Sequence, residues 1–237
     1  MLLKDCREIA LFGASFFFIG CATFEPGLSY QDLMRDGRST VRQVREGLEV
    51  SVEEFVTAKK SLRAFDADIA PYGVLALFLR IENKSAAAYT VRQAEVKALL
   101  GDQSLSPLRG VDAARRAATR DTASKALAWT VATGPFALLL WPVTVSGSGS
   151  HTQTVNQRIE RHFENLELGN ILVRANQGVG GFLYFAIPGG MKKLERLTLK
   201  PIAAQENGAK TVVFELSLAA LELSTPVSPA KTPDESN

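Results

Sequence analysis

The chain has 237 residues, a net charge of +2, 46% hydrophobic and 22% charged residues. That composition fits a globular protein with enough chain for a sizeable core. The small net charge, with acids interleaved among bases as in Glu53-Glu54 before Lys59-Lys60, argues against nucleic acid as a partner.

At the N-terminus Lys4 and Arg7 precede Ile9 to Gly20, an uncharged apolar run of twelve residues, and a cysteine follows at once. Twelve helical residues cover ~18 Å, well short of the ~30 Å of a hydrocarbon core, so the pattern is that of a secretory leader and not of a membrane span. Phe18-Ile19-Gly20-Cys21 resembles the lipobox of bacterial lipoproteins, with Phe18 standing where the family usually has Leu. The resemblance implies a signal peptide over 1–20, cleavage before Cys21, and a diacylglycerol with fatty acyl chains such as palmitate on its thiol. Ala22 after the cysteine, where Asp would signal retention, implies sorting to the outer membrane, facing the periplasm. The only other cysteine, Cys6, would leave with the leader, so the mature chain would hold neither a free thiol nor a disulfide.

Residues 21–40 read as a polar, turn-rich linker from the anchor, with a helical turn over Gln31 to Arg38. Strand patterns begin near Val41. Leu48, Val50 and Val52 alternate with Glu49, Ser51 and Glu53. Pro71-Tyr72-Gly73 marks a turn, Val74 to Ile81 is apolar on both faces as in a central strand, and Ala88 to Leu100 reads as the next strand. Late in the chain Phe182 to Ile187 is again apolar throughout, and Asn207-Gly208 signals a hairpin. Thr211 to Leu223 reads as the last strand, and the proline-containing tail 224–237 is expected to lack structure. These short strands predict a mainly β protein over 41–223, an antiparallel β-sandwich, with a barrel as the alternative. The apolar strand Gly73 to Ser85, closed by Asn-Lys-Ser, resembles central strands of immunoglobulin-like domains in bacterial lipoproteins.

A helical apolar insertion is expected at about 112–178. Asp112 to Lys125 is alanine-rich and helical in propensity. Ala126 to Gln157 contains no Asp, Glu, Lys or Arg, and Gly134-Pro135 and Pro142 break its apolar part. A return helix to about Leu168 would place Val155, Ile159, Phe163 and Leu166 on one face. The chain's two tryptophans, Trp129 and Trp141, both lie in the apolar stretch. Tryptophan favours the membrane–water interface. Trp129, Phe136, Leu139 and Trp141 are therefore candidate contacts with a membrane or partner protein, unless the stretch caps the sandwich core or spans the bilayer as a helix.

Catalytic chemistry is sparse. His151 and His162, without a mature cysteine beside them, make a poor metal pair. Asp66 and Asp68 alternate as though on one side of a strand, and Gly178, Gly180 and Gly181 read as a turn. No metal, cofactor or catalytic set is expected. The sequence points to a non-enzymatic, lipid-anchored envelope protein presenting a binding or scaffolding surface to another envelope protein. The alternative is a periplasmic carrier of an apolar molecule or lipid, with Phe136, Leu138 to Trp141 and Phe182 to Phe185 around its pocket.

Overall fold

Two interleaved sets of apolar side chains run along Val74–Asn83, and each set has its own core. A computed structural model describes residues 24–35, 40–105, 107–117, 156–188, 191–194 and 196–224. In chain order its strands are β1 (Val41–Arg45), β2 (Leu48–Glu54), β3 (Val74–Asn83), β4 (Tyr89–Val91), β5 (Lys97–Leu100), β6 (Gln103–Leu105) and β7 (Pro107–Leu108). After the insertion come β8 (Ile171–Val173), β9 (Gln177–Ala186), β10 (Lys193–Leu194), β11 (Leu197–Lys200), β12 (Ile202–Gln205), β13 (Thr211–Val213), β14 (Leu216–Leu218) and β15 (Leu221–Glu222). The helices are α1 (Tyr30–Arg35), α2 (Ala58–Phe65), α3 (110–117) and α4 (156–166).

The protein is mainly β, with antiparallel sheets, as the strand patterns predict. A five-stranded sheet runs β1-β2-β3-β9-β7, and β3 and β9 pair along ten residues from Val74↔Ala186 to Asn83↔Gln177. Side chains alternate across a strand. Leu75, Leu77, Leu79 and Ile81 therefore join Val179, Leu183 and Phe185 in the sandwich core. Val74, Ala76, Phe78, Phe182 and Tyr184 face the other way, onto α2, α3 and α4. Leu77 and Phe214 thus belong to one core and Val74, Phe78, Phe182 and Tyr184 to another, because both faces of the central sheet are covered.

The second β layer is made of strands that turn corners, one reason the sequence merges them. The expected strand from Ala88 to Leu100 is β4 and β5, separated by a 3-10 turn at Gln93–Glu95 and belonging to different four-stranded sheets, β13-β12-β4-β8 and β14-β11-β5-β6. Pro201 divides β11 from β12 in the same way, since it has no N–H for a ladder. Its carbonyl accepts from Phe214 N at 3.0 Å, where β13 gives way to β14. The expected last strand is accordingly β13, β14 and β15. The Asn207-Gly208 hairpin is present, with Gly208 at φ 70° and its N–H on Gln205 O at 2.8 Å.

Gly178, Gly180 and Gly181 are not a turn but lie within β9. A Cβ at Gly180 would sit 2.7 Å from Met34 Sδ, and one at Gly181 would sit 2.7 Å from Leu168 Cα and N. These glycines let α1 and the end of the insertion press on the sheet, a close approach that only a missing side chain permits. The insertion also ends earlier than expected, since β8 already pairs with β4.

Both cores should contribute to stability. Phe182→Ala empties the helix-facing core and Phe214→Ala the sandwich core; each is expected to cost ~3–5 kcal/mol in urea unfolding. Gly181→Ala should cost ~1–3 kcal/mol by overpacking, whereas Gly169→Ala, with nothing within 4 Å, should leave the midpoint unchanged. A native midpoint for Phe182→Ala would show that the helix layer is not a true core.

Candidate functional site

Residues 24–35, expected as part of a free linker, are built into the helix side of the domain. Ser29 and Asp32 cap α1 reciprocally: Ser29 N and Oγ donate to Asp32 Oδ2 at 3.0 and 2.6 Å, and Asp32 N donates to Ser29 Oγ at 3.2 Å. Those bonds from Ser29 hold the Asp32 carboxyl below its usual range. Leu28 and Leu33 are buried in the helix-side core. Tyr30 Oη accepts from Gly180 N at 3.2 Å, and Glu25 N donates to Asp66 Oδ2 at 3.1 Å.

The strongest hold is ionic and buried. Arg80 lies on the helix-facing side of β3, 6% exposed, and donates through Nε and Nη2 to Leu33 O at 3.0 and 2.5 Å. This carbonyl belongs to the last turn of α1, where no backbone N–H within the helix can reach it, and a cation there suits the helix dipole. Glu53, also 6% exposed, lies 3.7 Å from Arg80 Nη2 and 3.4 Å from Lys60 Nζ. Lys60 further bridges to Glu54 Oε1 at 2.8 Å, and Thr40 Oγ1 donates to the other oxygen of that carboxylate. Burial pushes the Glu53 carboxyl up, against the pull of Lys60 and Arg80. The cavity between Leu28, Leu33, Glu53, Phe55 and Lys60 is about 30 Å³, room for a water or two and not for an organic ligand.

The segment's start lies on α4. The Phe24 ring meets His162 edge-on at 5.3 Å between centroids, and His162 Nε2 donates to Ala64 O at 2.7 Å, satisfying a carbonyl in the last turn of α2. Burial lowers the affinity of this imidazole for a proton. Asp66 is the left-handed C-cap of α2 and not a strand residue, while Asp68 accepts from Ser224 Oγ at 2.6 Å. The two carboxylates serve separate contacts and do not form a pair.

The insertion leaves and returns at neighbouring points. Ile159, Phe163 and Leu166 of α4 pack into the helix-side core beside Ala113, Ala114 and Ala117 of α3. Arg115 bonds Glu160 at 3.0 Å, and Glu167 accepts from Gly110 N at 2.7 Å, so the helices run antiparallel with Glu167 clasping their base. Gln93 Nε2 ties the same carboxylate to the second β layer at 2.7 Å. Cys21, Trp129, Phe136, Leu139, Trp141 and His151 lie outside the described residues. Phe182 to Phe185, expected around a carrier's pocket, are fully buried side chains divided between the two cores. Among the described residues no group of three His, Cys, Asp or Glu is placed to hold a metal, and no helix is long and apolar enough to cross a membrane.

The docking of residues 24–35 was not legible beforehand. Its signal was weak: the cap pair Ser29 and Asp32, and a lone arginine ending an otherwise apolar strand. Arg80→Met should leave Leu33 O without its partner and Glu53 with Lys60 alone, and destabilise by about 3–5 kcal/mol, as breaking buried pairs does. Limited proteolysis should then cut first within 24–35; an unchanged pattern would show that Arg80 does not hold this segment. His162 makes the same region acid-sensitive. Its folded-state pKa lies below the ordinary 6.5, so its contribution is complete above that value and is lost as pH falls through the folded one. Urea midpoints measured downward from pH 8 should fall more steeply for the wild type than for His162→Gln. Parallel curves would refute the assignment.

No family model matches the chain, and no curated protein matches it. Among solved structures it is similar to the lipoprotein candidate ycdA of Bacillus subtilis, with 11% identity and a TM-score of 0.35, over 76% of this chain and 39% of that one. It is also similar to a FixG-related protein of Vibrio parahaemolyticus, with 10% identity and a TM-score of 0.32, over 74% of this chain and 97% of that one. The chain thus spans well under half the length of the Bacillus structure.

Proposed function

We propose that this protein is a non-enzymatic, lipid-anchored component of the bacterial cell envelope, held at the periplasmic face of the outer membrane through acylated Cys21. Its work is to present a surface there to another envelope protein. The observation that carries the reading is the docking of residues 24–35: the stretch next to the lipobox cysteine is fixed to the folded domain by Arg80, Leu33 and the Phe24–His162 contact. Such a join transmits the anchor's position to the domain, as a membrane-bound scaffold requires. The domain's β surface, backed by a core on either side of the central sheet, is a stiff platform for such contacts.

Trp129, Phe136, Leu139 and Trp141 are the proposed second contact with the membrane or a partner. Supporting this, Phe24 rests on His162 of α4, the helix that follows the apolar segment in the chain.

Cys21→Ser is expected to leave the chain either uncleaved before residue 21 or free of the membrane. A mutant that fractionates as the wild type does, with the same intact mass, would refute the anchor. For the apolar segment, Leu139→Asp should leave melting of the lipid-free domain nearly unchanged while weakening its binding to liposomes, and liposomes should shift the wild-type tryptophan emission to the blue. Strong destabilisation without any such shift would mean that the segment serves the core.

A further inference from the structure

On the lipid-anchor reading, the path of the first described residues bears on which face the domain turns to the bilayer. Phe24 is three residues beyond Cys21. Even fully extended, three residues reach only about 11 Å. A domain of roughly 200 residues has a radius of gyration of about 16 Å, so this tether cannot bring the acyl chains round to the far side. The segment that follows is not free to swing either. Glu25 N bonds Asp66 Oδ2 at 3.1 Å, and a Cβ at Gly27 would lie 3.7 Å from Arg63 O, so residues 25–27 run along the end of α2.

We propose that the exposed face of α2 lies against the phospholipid headgroup layer, with Leu62 entering it. This inference rests on the lipid-anchor reading above. Leu62 is 49% exposed, one of few large apolar side chains so open, and it sits on the turn of α2 that residues 25–27 follow. Lys59 and Arg63 flank it, both exposed. Asp66 at the helix end and Asp32 opposite Arg63 balance those cations. The face is thus apolar at its centre and evenly charged around it, which matches zwitterionic headgroups carrying phosphate and ammonium together. Each headgroup layer is roughly 5–8 Å deep, so a side chain on this turn is within reach of it.

The mature chain would have no free cysteine, so one introduced thiol is a unique label site. Full-length lipidated Leu62→Cys and Asn207→Cys would each carry the same fluorophore. They would be reconstituted in phosphatidylethanolamine–phosphatidylcholine vesicles containing a headgroup-linked quencher. Asn207 lies in the β12–β13 hairpin of the second β layer, across the central sheet from α2. The label at 62 should be quenched severalfold more than the label at 207, with little change on adding salt. Equal quenching in protein whose mass shows the acyl chains would overturn this orientation while leaving the anchor intact. A mass without acyl chains would overturn the anchor reading and this inference together. A flexible Gly/Ser insert of about twenty residues after Thr23, with a reach of about 25 Å, should remove the contrast. A contrast that survives the insert would overturn the tether as its cause.

Discussion

Everything in the fold follows from β3 having both faces covered. In a strand with one wet face a slip of one residue turns the apolar set to water, whereas in one that feeds two cores it exchanges the two sets of side chains, so register there rests on how those sets differ. In β3 the two sets differ in kind. Leu75, Leu77, Leu79 and Ile81 are aliphatic and meet the second β layer, whereas Phe78 meets Phe182 at 5.0 Å within an aromatic cluster that includes Phe55, Phe65, Phe163 and Tyr184. Swapping them would drive the Phe78 ring into a place shaped for Leu77 or Leu79. The ten-residue β3–β9 ladder therefore holds register by packing as much as by hydrogen bonds.

The helix-facing set ends in Arg80, and that one position decides how the N-terminal segment is held. Burying a guanidinium in an aromatic layer is costly unless every charge nearby is answered. Here the answer comes partly from Leu33 O, a main-chain group that exists at that spot only when α1 is docked. Glu53 supplies the counter-charge, and Lys60 shares it. Docking is thus coupled to the satisfaction of a charge already committed to the central strand. A segment held only by Leu28 and Leu33 would be easier to peel away than one whose release exposes Arg80 without its acceptor.

Much of this β architecture was legible because it rests on local pattern. The strand at Leu48 to Val52, the doubly apolar runs at Val74 and Phe182, and the Asn207-Gly208 hairpin are properties of neighbouring residues, and each is where the sequence puts it, but Glu49, Ser51 and Glu53 are buried where the alternation predicts a wet face. Three features were not legible, and all three depend on contacts between residues far apart in the chain. Corners such as Pro201 divide strands without changing the hydrophobic pattern on either side. The glycines of β9 look like a turn until the bodies pressing on them, Met34 and Leu168, are known. The role of residues 24–35 cannot be read from their own polar composition, because the group that binds them sits 47 residues away.

Glu167 shows how the two halves of the molecule are made to act as one. Its carboxylate takes one bond from Gly110 N at the start of α3 and one from Gln93 at the corner between β4 and β5. On either side of it the chain is already committed: Phe163 and Leu166 to the helix-side core, Leu168 to the sandwich core and, through its N–H, to Phe182 O at 2.8 Å. The base of the insertion is therefore fixed to both cores and to the second β layer at a single point. Force applied to α3 and α4 by anything their connecting segment engages would pass through Glu167 and Leu168 into β9, and from β9 across the ladder to β3. The same β3 carries Arg80, which holds residues 24–35 through Leu33 O. Residues 24–35 and the base of the insertion, though far apart in sequence, thus bear on one pair of central strands.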